Sequence, residues 1–150
     1  LPGEGAAMFI VNNKADDAVA RVKALKMISS TDEKYVAKQL QKFLHEHLGE
    51  SEKIDLLLNG ENGDNRLLKY YTGVENELDE NTIIGRYKHL FGEFQTVPAV
   101  ALWLACHILK TQQLPVHIIK KNADVAAYNR ILIYNNYQGA QHGFMLVESV

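Results

Sequence analysis

The sequence predicts one α/β domain over residues 1–150. Its core is a mixed, mostly parallel five-stranded sheet with helices on both faces and an antiparallel hairpin at the C-terminal end. Three observations lead there. Short apolar runs bounded by turn formers alternate with longer stretches whose apolar residues recur at helical spacing. The last two strand-like runs follow one another with no helix between them. At 150 residues the chain has room for one ordinary core.

The first apolar run, Ala6 to Val11, is bounded by Gly5 and Asn12-Asn13 and reads as a strand buried on both faces. Val19 to Ile28 alternates apolar and basic residues imperfectly, and a half-exposed edge strand is favoured there over an amphipathic helix. Thr31-Asp32-Glu33 offers an N-cap and acidic first-turn residues. Tyr35, Val36, Leu40, Phe43, Leu44 and Leu48 then repeat at helical spacing until Gly49. Ile54 to Leu58 reads as a buried strand running into Asn59 to Asp64, a stretch of turn formers that reads as a loop. A second helix is predicted through Leu67, Leu68, Tyr71, Val74 and Leu78, and a third strand over Thr82 to Tyr87. After a loop around Gly92, Val97 to Leu109 reads as a buried helix. Val116 to Ile119, Arg130 to Tyr134 and Gly143 to Val147 close the chain as strands.

Composition excludes several classes. With 47% hydrophobic and 23% charged residues and 3 Pro, the chain is globular rather than disordered. Lys+Arg 16 against Asp+Glu 18 gives net charge -2, too little basic excess to bind nucleic acid or an anionic membrane surface. The apolar run at 97–109 is too short to span a bilayer. No secretory signal is visible. One cysteine, Cys106, allows neither an internal disulfide nor a multi-thiolate zinc site, which suits the cytoplasm. The opening Leu1-Pro2-Gly3-Glu4-Gly5 lacks an initiator Met, as expected of a segment cut from a longer polypeptide.

In such sheets functional loops lie beyond the carboxyl ends of the parallel strands. Here those are Asn59 to Asp64 and Lys88 to Gln95. They would bring Glu61, Asp64, Glu93 and Lys88 together as an acid/base cluster, although loops carry such residues for conformational reasons alone. The six histidines show no metal-ligand spacing. His45 and His47 point to different helix faces, and Cys106 diverges from His107 by about 100 degrees on their helix, so Cys106 reads as a buried, inert thiol. Gly60 to Gly63 lacks the P-loop and dinucleotide signatures. No cofactor and no metal are expected.

Four segments, in order, resemble the C-terminal half of a β-ketoacyl synthase, the condensing enzyme of fatty-acid and polyketide assembly, which has the thiolase fold. Leu1-Pro2-Gly3-Glu4-Gly5-Ala6-Ala7 resembles the family's Gly-Glu-Gly-Ala-Gly strand. Ile54-Asp55 through Gly63 falls where the family has Ile-Asp-x-x-x-x-His-Gly-Thr-Gly-Thr. Tyr87-Lys88-His89-Leu90-Phe91-Gly92-Glu93-Phe94 resembles Lys-Ser-x-x-Gly-His-Thr. Asn135 through Gly143 sits at the family's Gly-rich Asn-Ser-Phe-Gly-Phe-Gly-Gly-Thr-Asn-Ala turn.

The resemblance implies a thiolase-like half whose N-terminal half, with the Cys nucleophile, is absent from this sequence. It places the family's two histidines at Gly60 and Glu93 and keeps the lysine as Lys88. Glycine has no donor, and an ionised Glu93 would repel an enolate oxyanion. Losing one such donor typically costs about a hundred- to a thousandfold in rate, so ordinary condensation should be abolished. The resemblance is closest to a non-catalytic member such as a chain-length factor. Its implied partners are acyl carrier protein or an active synthase subunit, in a homo- or hetero-oligomer. Phe91, Phe94 and Tyr137, with Gln138 and Gly139 in the final turn, are the candidates for bordering an acyl tunnel or partner interface, against the plain alternative of core aromatics. A lone half would also expose the helix surface of Val100, Trp103, Leu104 and His107. The alternative function is a free-standing binding or scaffold domain that kept the fold without chemistry.

Overall fold

The computed structural model describes residues 2–150. Local sequence sets the helices. Helix α1 (Glu33–His47) starts where the Asp32 carboxylate accepts the backbone N–H groups of Lys34 at 2.9 Å and Tyr35 at 3.3 Å, satisfying donors that an uncapped helix leaves open. Helix α2 (Leu68–Glu75) is short and buries Tyr70, Tyr71 and Val74. A single turn, α3 (Lys88–Phe91), occupies part of the segment expected to be loop. Helix α4 (Val97–Thr111) admits Pro98 because the first helical turn needs no N–H there.

Among the described residues the sheet has six strands: β1 (Arg21–Ser29), β2 (Leu56–Asn59), β3 (Ile83–Arg86), β4 (Ile119–Lys121), β5 (Arg130–Tyr137) and β6 (Gln141–Glu148). Their order is β1-β6-β5-β2-β3-β4. The expectation of five mostly parallel strands is corrected. Only β2–β3 and β2–β5 pair in parallel, while β1–β6, β5–β6 and β3–β4 are antiparallel. The cause is the C-terminal hairpin, whose second strand inserts between β5 and β1 and reverses both of its ladders.

Alternation along the strands splits the core in two. On one face Leu56, Leu58, Ile83, Ile131, Ile133 and Val147 pack with α4, and on the other Leu57, Ile84, Leu132, Phe144 and Leu146 pack with α1 and α2. This explains why β2 reads as a continuous apolar run: it is buried on both sides.

Three further expectations change. Ala6–Val11 forms no strand, and Met8, Ile10 and Val11 are almost wholly exposed; an apolar run becomes a strand only by pairing with a neighbour, and this one pairs with neither outer strand of the sheet. The final turn is shorter than the segment left between the two expected strands. Asn135, Asn136 and Tyr137 pair with Gly143, His142 and Gln141, so the hairpin closes in three residues, with Gln138 and Gly139 both left-handed at φ 55 and 70. Residues 116–118 form a 3-10 turn rather than a strand. On α4, Val100 and Leu104 are buried, Leu104 in the core beneath the sheet, while Trp103 and His107 are exposed and stack on each other at 5.8 Å. No helix among the described residues is long and apolar enough to cross a membrane.

Candidate functional site

The parallel pairings β3–β2–β5 bring three strand ends together. β2 ends at Asn59, β3 gives way to Tyr87 and α3, and β5 continues past β2 to Tyr137. Lys88, the first residue of α3, is the centre of what they build. Its side chain has no exposure, and its Nζ donates to Glu93 Oε1 at 2.9 Å, Glu93 Oε2 at 2.8 Å and the Asn136 carbonyl at 2.9 Å. Those three acceptors use all three ammonium hydrogens. Asn62 Nδ2 adds a bond to Glu93 Oε2 at 2.9 Å. Burial lowers the Lys88 pKa from the ordinary lysine value, with Glu93 pulling the other way.

Gly60 lies against this pair. A β-carbon there would come within 2.8 Å of Tyr87 Oη, 2.9 Å of the Tyr134 carbonyl and 3.2 Å of Lys88 Cε. The position is glycine because the strand ends approach too closely for any side chain. Beside it a hollow of about 170 Å³ opens between Glu61, Asn62 and Gly63 on one side and Arg86, His89 and Glu93 on the other.

Of the expected acid/base cluster, Glu61, Glu93 and Lys88 share this hollow, and every carboxylate of the cluster faces a cation. Glu61 pairs with Arg86 at 3.3 Å and Lys120 at 2.6 Å, and Lys120 reaches on to Glu75 at 2.8 Å. Asp64 turns away to Arg66, whose side-chain and backbone hydrogen bonds hold the Asp64 pKa at about 2. A second hollow, of about 310 Å³, lies at the amino ends of the strands around Lys53, Asp55 and Asp79. Its Asp79 is already tied to Lys53 and Asn81, and it contains none of the candidate acid/base or tunnel residues.

No imidazole bonds to Lys88 among the described residues. His89 Nε2 meets the His117 carbonyl at 3.2 Å. His142 is buried, with Nδ1 2.9 Å from Tyr134 Oη and Nε2 2.9 Å from the Ser30 carbonyl. That pairing suits a neutral ring donating to Ser30 and accepting from Tyr134, and burial lowers its pKa. Cys106 is partly buried, and desolvation raises its thiol pKa, the direction of an unreactive cysteine. No group of His, Cys, Asp and Glu among the described residues is arranged to hold a metal ion.

The aromatic candidates sit apart from the hollow. Phe91 and Phe94 pack against the α4 core, and Tyr137 is half-buried at the end of β5. Gln138 and Gly139 form the hairpin turn, which lies on α2: a β-carbon at Gly139 would come within 2.9 Å of Leu67 Cδ2. Sequence reasoning missed Asn59, Tyr71, Tyr87 and Asn136, all fully buried at this end of the sheet. Tyrosines at helical or strand spacing read as core, and asparagines after a strand read as turn formers. Comparison of the chain with family models, curated proteins and solved structures finds no match.

Proposed function

We propose that the chain is one lobe of a divergent condensing-enzyme-like protein that holds and shapes an acyl site without catalysing condensation, in the manner of a chain-length factor. The observation that carries this reading is the state of Lys88. The only buried cation at the strand ends among the described residues has every hydrogen committed to Glu93 and Asn136, so it offers nothing to a substrate oxygen. The positions where the resemblance places imidazoles hold Gly60, which has no room for a ring, and Glu93, which is bound to the lysine. An oxyanion needs preorganised donors, and this arrangement supplies none from those positions. Helices on both sheet faces and a closing hairpin are in keeping with the resemblance. The partners proposed are an active synthase subunit and acyl carrier protein, in the cytoplasm.

A malonyl-thioester decarboxylation assay on the full-length protein tests this. Release of carbon dioxide at background is expected, and turnover comparable to that of ordinary synthases overturns the reading. The second reading, a free-standing scaffold domain, draws on the two cores that the chain closes by itself. It requires a stable monomer or homodimer of this chain alone by size exclusion with light scattering.

A further inference from the structure

Three buried polar atoms without a protein partner sit on side chains that share one face of the sheet. Asn59 closes β2; its Nδ2 donates to Glu75 Oε1 at 2.6 Å, and its Oδ1 has no partner. Asn136, near the end of β5, accepts the Gly139 N–H at 2.8 Å through Oδ1, and its Nδ2 has no partner. Tyr71, on α2, has an unpartnered hydroxyl. All three residues are wholly buried at 0% exposure.

Register places the three on one side of the sheet. Asn59 stands opposite Tyr134, and strand side chains alternate, so Asn59, Tyr134 and Asn136 project to the face of Leu57 and Leu132. That is the face packed by α2 and Tyr71, whose ring meets Tyr134 edge-on at 5.7 Å. The set is chemically complementary: the hydroxyl and the amide donate, and the Asn59 carbonyl accepts. Buried polar atoms in folded proteins are almost always hydrogen-bonded, and an internal water is the usual bridge where a few converge.

We propose that Asn59 Oδ1, Tyr71 Oη and Asn136 Nδ2 form an interior binding site for one water molecule, which accepts from Tyr71 and Asn136 and donates to Asn59. The site joins α2 to the ends of β2 and β5. It also steadies Asn136, whose carbonyl holds Lys88, so the water lies one residue behind the buried ion pair. The inference is independent of the proposed function.

Two measurements on the full chain test it. Tyr71→Phe removes only the hydroxyl, and its folding constant is expected to fall roughly three- to tenfold, the loss of one ordinary hydrogen bond. Tyr70→Phe, which removes a direct bond to the Thr31 carbonyl at 2.8 Å, sets the scale. In the wild-type chain, NMR cross-relaxation between bulk-exchangeable water and the Asn136 side-chain amide is expected to show a long-lived contact. A Tyr71→Phe variant as stable as wild type or more stable, or no long-lived water at the Asn136 amide, overturns the proposal.

Discussion

The Lys88 ammonium lies 2.8 and 2.9 Å from the two oxygens of Glu93, across five residues of chain that include the positive-φ Gly92. The lysine side chain is wholly buried and the carboxylate only partly so. Removing one partner of such a pair strands a charge, whereas replacing both with apolar groups does not. Glu93→Ala is therefore expected to lower stability by about 3 kcal/mol in urea titrations. The double variant Lys88→Met with Glu93→Leu is expected to regain most of that. A single-variant loss below about 1 kcal/mol would mark the pair as an ordinary surface bridge.

Gly60 gives a steric prediction. Gly60→Ala forces a methyl against the Tyr134 carbonyl and the buried Tyr87 hydroxyl, and overpacking of this kind costs about 1–3 kcal/mol. Gly60→His is expected to unfold the strand ends rather than introduce a donor. A Gly60→His protein with wild-type thermal stability would show that the approach is looser than described.

The hairpin turn places Gln138 at φ 55 and Gly139 at φ 70. Left-handed backbone is unfavourable for most side chains and tolerated by Asn and Gly. Gln138→Asn is expected to raise stability by about 0.5 kcal/mol. Gly139→Ala meets both the positive φ and the Leu67 side chain and is expected to destabilise. Opposite signs for the two variants in thermal melts are the outcome to look for.

Alkaline pH should unfold the chain through its tyrosines. Burial raises the phenol pKa values of Tyr71, Tyr87 and Tyr134 above the ordinary value of 10. Below pH 10 folded and unfolded phenols are alike neutral and the stability is intact; above it the unfolded chain ionises first, and stability is lost as pH rises. Lys88, with its lowered pKa, works in the opposite direction as pH rises towards 10.5, but it is one group against three. Absorbance at alkaline pH is expected to show these phenols ionising only with unfolding; free titration of all seven tyrosines near pH 10 in a folded protein would refute this.

What the sequence disclosed follows the range of the interaction. α1 was legible because its cap and its apolar stripe are both local, and β2 because a strand buried on both sides is apolar throughout. Lys88 and Glu93 were singled out by their place in the loop after the third strand and expected near one another, but not as an ion pair, since the left-handed bend at Gly92 that returns the chain is a backbone property. Strand order was not legible: nothing within residues 141–148 says that they separate β5 from β1. Ala6–Val11 has the composition of a strand but pairs with neither outer strand, β1 or β4. Tyr71 and Asn136 carry no local signal of their unpartnered atoms, because satisfaction of a hydrogen bond depends on what the fold puts opposite.

The place of β6 between β1 and β5 fixes the timing of assembly. Arg21 and Glu148, joined across that ladder, are 127 positions apart. During synthesis the first strand therefore waits for residues 141–148 before it has a seat, and loop closure over such a span is slow. A nascent chain stopped short of residue 141 would leave a nine-residue ribbon open to chaperones and to neighbouring nascent chains.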